Sequence, residues 1–560
     1  MTSLPPEPVT AGERWSIAAW VTGLSVLVLG PALAPGFVLS YDMVWVPHLS
    51  VLRPDVWGLG SGLPRAVPSD AVVAVLGVVL PQQLVQKALL LAALVGAGLG
   101  GAALTRDLGR PARWAAATFA VWNPFVAERL ALGHWPLLLG YAAMPWLVLA
   151  VRERRFARAT LLLAATAMTP VSGVIGAVTA LVLGRAGDAW RWLLVVAAVN
   201  APWWVASLAS PAGGTSDPAG VSVFATRGAG STPPWLEVLA LGGVWNSDVV
   251  PASRGTIVST VITAIFAVTV LAGLVALFRS GRREVGRLAV LAVIGFAVAL
   301  AGVAAPAAVQ ALVEAVPGAG LIRDGSRWVL LMTPAIVVGL AGAVRSVTAR
   351  PATQVAGWLV ALALPVALVP DLGWGVGGSL RAVDYPDAWE TMATRIAGDD
   401  GAGDLLSLPF SPFRAPRWNH DRPVLDPAGR YFDRVTVTSD ILTVGDTQVA
   451  GEDPRAAVIG DALAAGDWPA VAAEGVGLVV LDRSAPGAAS ARSQVRGLRE
   501  VATSGPLELY EVPGATPSGP RWQRRAAVVT GWAAALGAVT GAVAIAVAQI
   551  GRRRKTARGR

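Results

Sequence analysis

"ARATLLLAATAMTPVSGVIGAVTALVLG" (residues 157–184) reads in two ways. It is one long apolar helix, or two short helices interrupted at "MTPVSG" (168–173), where a proline removes a backbone donor beside a flexible glycine. The choice sets the side of the membrane on which every later loop falls. One spanning helix would put "RSGRREVGR" (279–287) and the tail "RRRKTARGR" (552–560) outside the cell. A hairpin of short, incompletely crossing helices keeps both inside. The short cytoplasmic loops then carry roughly 22 Arg and Lys against roughly 8 outside, the asymmetry that orients membrane proteins. The hairpin is the preferred reading.

Outward from this stretch, apolar runs recur that are long enough to cross about 30 Å of hydrocarbon. They fall at about 15–36, 85–104, 111–125, 136–151, 157–169, 172–184, 189–207, 256–278, 288–304, 328–344, 353–370 and 526–550. Of the 560 residues, 54% are hydrophobic and only 14% charged, far from a soluble composition. The expectation is an α-helical polytopic membrane protein with about twelve transmembrane helices and both termini cytoplasmic. The first run follows "MTSLPPEPVTAGER" (1–14) with no clear cleavage site, so it reads as a retained helix. Arg521, Arg524 and Arg525 fall on the outer side against the bias, and snorkelling to lipid headgroups is their expected accommodation.

The net charge of +9 comes from arginines between apolar runs and reads as topology, not nucleic-acid binding. There is no cysteine for disulfides or thiolate metal sites, and three histidines argue against a multi-histidine zinc site. Asn200, Lys87, Gln82, Gln83 and Gln86 are too sparse for the ion relay of a secondary transporter.

Between 371 and 523 the composition becomes that of a soluble domain. "DLLSLPF" (404–410), "GLVVLD" (477–482) and "LELYEV" (507–512) read as strands, and "DPRAAVIGDALAAGDWPAVAAEG" (453–475) as helical. The expected organisation is a membrane domain over 1–370, a small exoplasmic α/β domain over 371–523, and a last helix with a basic tail over 524–560. The middle part has no phosphate-binding glycine motif and reads as a structural or acceptor-binding lid.

Three polar groups fall just beyond apolar runs on the outer side. "YDMVWVPH" (41–48) holds Asp42 and His48; ionisable groups there are costly, so Asp42 is either a functional acid or a cap for the following turn. His48 reads as an ordinary interfacial histidine more readily than as a partner of Asp42. "NPFVAERLALGHW" (123–135) holds Glu128, Arg129 and His134 between belt tryptophans; neighbouring Glu128 and Arg129 cannot share a helix face and must serve different partners. "LIRDGSRW" (321–328) brackets Asp324 and Ser326 with Arg323 and Arg327, whose forked, permanently charged side chains suit a phosphate, while helix capping is the rival role of Asp324 and Ser326. "LGGVWNSD" (241–248) adds a weak signal for a sugar-binding loop.

At these residues the chain resembles the GT-C class of integral membrane glycosyltransferases, in particular large actinobacterial and archaeal members. The resemblance rests on "YDMVWVP", "WNPFVAERLALGHWPLLLGY" and "LIRDGSRW", and in the later part on "DYPDAW", "LLSLPF", "RPVLDPAGRYF" and "GVGLVVLD". It implies transfer of a sugar, mannose or arabinose being first to test, from a polyprenyl-phosphate donor to a cell-envelope glycan or glycolipid outside the cytoplasm. It also implies Asp42 as the base and Glu128 as a second acid; His134, Arg129, Arg323, Arg327, His48 and Asp324 are the candidate substrate-binding residues beside them. Where related proteins pair two acids, Asp42 is followed by Met43, which leaves a divalent cation an open question. Two rivals stand beside this reading: a non-catalytic protein that binds lipid-linked glycans, and a transporter for them.

Overall fold

The computed structural model describes residues 9–349, 351–399, 401, 403–516 and 519–558, with side chains up to 552. The first eight residues of the N-terminal lead and the end of the basic tail lie outside the described residues. Among the described residues nine helices are long and apolar enough to cross a membrane. Three of the twelve expected segments are shorter: Arg110–Val121, Phe156–Thr166 and Pro170–Leu183.

The decisive stretch does split. Phe156–Thr166 ends before Thr169, and Pro170 opens the second helix at its first turn, where its missing N–H costs nothing. A Cβ on Gly176 would lie 3.3 Å from the Leu163 side chain and would press on Thr166. A continuous helix would separate positions 163 and 176 by about 20 Å at 1.5 Å per residue. The second helix therefore folds back on the first.

The expected run 111–125 is also cut short. Asn123 leaves the helix with extended backbone and caps a new one by accepting from Val126 N at 3.1 Å, with Pro124 in the first turn. Its amide donates to Phe119 O at 2.7 Å and to Tyr141 Oη at 2.9 Å, which fixes the break from both sides. The result, Pro124–Ala131, is a short helix within what the sequence suggested was a loop.

The later unit is built on a five-stranded mixed sheet. Asp404–Leu408 pairs in parallel with Thr436–Val437 and Val476–Asp482; the latter pairs antiparallel with Leu507–Glu511, which in turn pairs antiparallel with Arg499–Ser504. Alternation sends Leu406, Leu408, Val479 and Leu481 into one core with Ile459, and Leu405, Leu478 and Val480 into another with Trp389 and Met392. Pro454–Ala465, capped by Asp453, and Trp468–Ala473 are the helices read from 453–475. The unit is joined to the helical part through backbone: Phe37 and Val38 pair with Val383 and Ala382. Arg524 donates to the Gly58 carbonyl at 3.2 Å, so one of the three anomalous arginines braces the first long loop instead of reaching headgroups.

Candidate active site

Asp42 sits on a tight reversal. Ser40 and Met43 exchange both backbone hydrogen bonds, at 3.2 and 2.8 Å, and Tyr41 takes φ 44°. Left-handed backbone at a non-glycine residue costs on the order of 1 kcal/mol and persists only where the surroundings impose it. Here they do. Tyr41 bonds Pro423 O and Leu425 N, and Asp42 N donates to Leu132 O at 3.1 Å. Arg422 reaches Ser40 Oγ at 2.7 Å and Ala131 O at 2.9 Å. From below, Gln86 bonds both the N–H and the carbonyl of Val38, Gln83 accepts from Gly36 N, and Lys87 donates to Gly36 O at 2.5 Å. Of the polar residues that fit no relay, Gln83, Gln86 and Lys87 are thus the mount of the strand leading into the Asp42 turn, while Gln82 and Asn200 bond elsewhere.

Gly133 approaches this turn so closely, at φ 82°, that a Cβ would overlap Ser40 O and Met43 N. Gly133→Ala is expected to shift Asp42 and lower kcat/KM at least about 10²-fold, because roughly 1 Å of misplacement has that effect. Assays normalised to membrane protein level check it; unchanged turnover contradicts it.

The three polar groups read from sequence meet in one chain of hydrogen bonds. Asp42 Oδ2 lies 2.9 Å from His134 Nε2, and His134 Nδ1 lies 3.3 Å from an Arg129 terminal nitrogen. Arg129 donates to Ser326 Oγ at 2.7 Å, Ser326 to Asp324 Oδ1 at 2.6 Å, and Arg327 Nε to Asp324 Oδ2 at 2.7 Å. A guanidinium only donates, so His134 Nδ1 accepts, and its proton resides on Nε2, pointing at Asp42. Burial, with Arg327 and Arg129 close by, holds the His134 imidazole below its ordinary range despite Asp42. Burial alone would raise Asp42, but the His134 bond and the charges of Arg327 and Arg65 keep its carboxyl below the usual range. The outcome is an ionised carboxylate oriented by a neutral imidazole. Asp42 is also the open end of the chain: its side chain is 42% exposed, that of His134 8%.

Arg129 is fully buried over the Phe125 ring, 5.3 Å from its centroid. Glu128, next in sequence, turns elsewhere. It is 1% exposed and accepts from Gly243 N at 3.3 Å and Val244 N at 3.2 Å. It lies beside the buried Glu237–Arg254 pair, 2.5 Å apart. Glu128 and Asp42 are therefore not brought together, and "LGGVWNSD" is the loop that Glu128 holds. Burial, against the pull of Arg129 and with Glu237 adding to it, pushes the Glu128 carboxyl up from 4.5 to about 7. A raised folded-state value means stability present below about pH 4.5 and lost as pH rises through about 7, up to about 3 kcal/mol. The melting midpoint of the wild type should fall between pH 5 and pH 8 more than that of Glu128→Gln; parallel curves contradict this.

Arg327 keeps its two terminal nitrogens without a partner among the described residues, and its side chain is 31% exposed. Arg323 lies over Phe224 and bonds Glu452 of the later unit at 2.9 Å. Arg65, which the sequence gave no reason to single out, meets the same Glu452 through Nε at 3.0 Å and remains half-exposed. His48 is exposed, with no polar partner among the described residues. Among the described residues no group of three or more His, Asp or Glu is placed to hold a metal ion. The setting of Asp42, an imidazole and nearby arginines, suits an anion better than a cation.

No family model matches the chain, and no curated protein does. Solved structures do share the fold. The particular neighbours are two cryo-EM structures of the mycobacterial arabinofuranosyltransferase AftD, one of them a mutant. Each has a TM-score of 0.59, with 18% and 19% identity over 93% and 92% of this chain. This chain spans 41% and 42% of those larger chains, and at such identity the fold alone is what they share.

Proposed function

We propose that the protein is a membrane glycosyltransferase of the cell envelope that moves a sugar from a polyprenyl-phosphate donor to a glycan or glycolipid acceptor outside the cytoplasm. The observation that carries this reading is the Asp42–His134–Arg129–Ser326–Asp324–Arg327 chain, which ends in an accessible carboxylate with arginines beside it. An arabinofuranosyl unit is the first sugar to test, given the fold neighbour. Residues 371–523 would then lie on the outer face and both termini in the cytoplasm, in keeping with the arginine bias.

In this reaction the acceptor oxygen forms a bond to the anomeric carbon while the bond from that carbon to the lipid phosphate oxygen breaks. The hydroxyl proton passes to Asp42, held ready by His134 Nε2–H. The departing phosphate is already anionic, so it needs positive charge and not a proton. Arg327 and Arg65 supply that charge, while Arg323 ties the later unit to the same place. Glu128 is here a positioning residue for the 242–244 loop. Attack opposite the leaving phosphate would invert the anomeric centre.

The test is reconstituted protein in liposomes given radiolabelled sugars on polyprenyl phosphate or on nucleotides. Transfer from the lipid-linked series alone is expected. Transfer only from nucleotide sugars, or export of lipid-linked sugar without transfer, overturns the assignment.

A further inference from the structure

A cavity of about 230 Å³ opens at the end of the long helices remote from Asp42. Trp135–Arg152 runs from beside His134 to this cavity, about 27 Å at 1.5 Å per residue. Gln82–Leu104, Ile257–Arg279 and Thr333–Thr348 also end here, and Glu284–Ala304 begins here. On the topology proposed above, the mouth faces the cytoplasm. None of its residues takes part in the Asp42 network.

The cavity has two layers. Leu104, Leu149, Leu277, Leu288 and Val338 form an apolar floor, while Arg106, Arg152 and Arg282 stand at the mouth with Asp107, Glu153 and Glu284. Val338 precedes Arg345 by seven residues on one helix, so the floor lies about 10 Å deeper than the charges. Two of the acids are already matched. Glu153 meets Arg106 at 3.1 Å and Arg155 at 2.8 Å, and Glu284 pairs with Arg152. The Asp107 carboxylate approaches only Arg106, at 3.9 Å. Arg282 and Arg345 have no carboxylate within ion-pair distance among the described residues. Both instead donate to one neutral acceptor, the Asp107 carbonyl, at 3.3 and 3.2 Å. Burial and the nearness of Arg345 hold the Arg282 guanidinium below its ordinary range. Arginines often cap the last carbonyls of helices, but Asp107 belongs to the short Arg106–Leu108 turn and to none of the four helix ends gathered here.

Two guanidiniums converging without an acid leave forked donors for an anion with several oxygens, and phosphate has that geometry. An apolar floor beneath them asks for a ligand that is charged at one end only. A free phosphate would leave the floor uncovered, and pockets for larger ligands such as nucleotide sugars run to roughly 300–1,000 Å³. Anionic lipids of the inner leaflet draw juxtamembrane arginines to this depth. We infer that the cavity binds the phosphate headgroup of an anionic lipid, with Arg282 and Arg345 on the phosphate oxygens and the leucine floor under its glycerol. The span Gly325–Thr348 carries Arg345 near this end and Arg327 near the other. A lipid held at Arg345 therefore steadies the helix that bears the far end of the Asp42 network.

The test uses full-length protein in neutral detergent, titrated with short-chain phosphatidylglycerol, short-chain phosphatidylcholine, glycerol 3-phosphate and inorganic phosphate. The melting temperature is the readout, since a ligand that binds only the folded state raises it. Phosphatidylglycerol alone is expected to raise it at low concentration. Arg282→Gln with Arg345→Gln should weaken that response about thirtyfold, at about fivefold for each arginine facing an anionic lipid. Arg279→Gln with Arg283→Gln removes equal charge from the same loop outside the cavity and should leave the response unchanged. Leu104→Trp fills the floor, keeps every arginine and should abolish the response; it decides the matter if the double glutamine variant does not fold. An equal rise with phosphatidylcholine, or a response that both double variants lose alike or that Leu104→Trp keeps, overturns the site. An equal rise with glycerol 3-phosphate or inorganic phosphate assigns the arginines to a soluble phosphate and overturns the lipid.

Discussion

Asp42→Asn should lower sugar transfer by at least about 10³-fold while the protein inserts, accumulates and melts as the wild type does, since a positioned base contributes typically 10²–10⁴-fold. The separation of activity from stability follows from where the side chain sits. Asp42 is the exposed terminus of its network, and the backbone of its turn is fixed by Leu132 O, Pro423 O and the Ser40–Met43 pair, not by the carboxylate. Asn keeps the shape and still accepts from His134 Nε2. What it loses is the negative charge that takes the proton. The wild-type pH profile carries a second signature. Because Asp42 is held below the usual carboxylate range and His134 below the usual imidazole range, the acid limb and any histidine inflection should both be displaced to lower pH than in the free side chains. A variant with full turnover would remove Asp42 from the chemistry.

The double variant Arg65→Gln with Arg327→Gln should reduce kcat/KM for the lipid-linked donor by about 10²–10³-fold, the usual effect of removing charge stabilisation from a leaving group. Both act electrostatically on Asp42, and Arg327 has free terminal nitrogens among the described residues. Arg323→Gln is the informative control. Arg323 is committed to Glu452 and Phe224, so its loss should loosen the later unit and lower the melting temperature more than it alters donor use. Donor kinetics that respond to Arg323 but not to the other two would reverse the assignment.

Much of this was legible in the sequence because it follows from local rules. The break at "MTPVSG" was readable from proline and glycine, and the strands over 404–410, 477–482 and 507–512 from apolar runs between turn residues. Adjacent Glu128 and Arg129 do part company, as helix geometry requires. The direction each takes was not legible. Glu128 carries the residue type of a catalytic acid, but its partners are backbone N–H groups 115 and 116 positions away, which no spacing rule reports. His134 gained the place that His48, six positions from Asp42, seemed to offer, because a glycine lets two distant turns touch. Arg65 looked like an ordinary loop arginine until Glu452 of the later unit met it. Gln83, Gln86 and Lys87 were read only as too sparse for a relay; their role in holding the Gly36–Val38 backbone was not legible in the sequence.

The central claim places the anomeric carbon of a lipid-linked sugar between Asp42 and the arginines. A cryo-EM structure of the protein in a nanodisc with a non-transferable polyprenyl-phosphonate sugar measures this directly. The account predicts the phosphonate against Arg327 and Arg65, and the sugar ring facing the Asp42 carboxylate. A ligand held elsewhere, with Asp42 still bonded only to His134 and remote from the sugar, would contradict it.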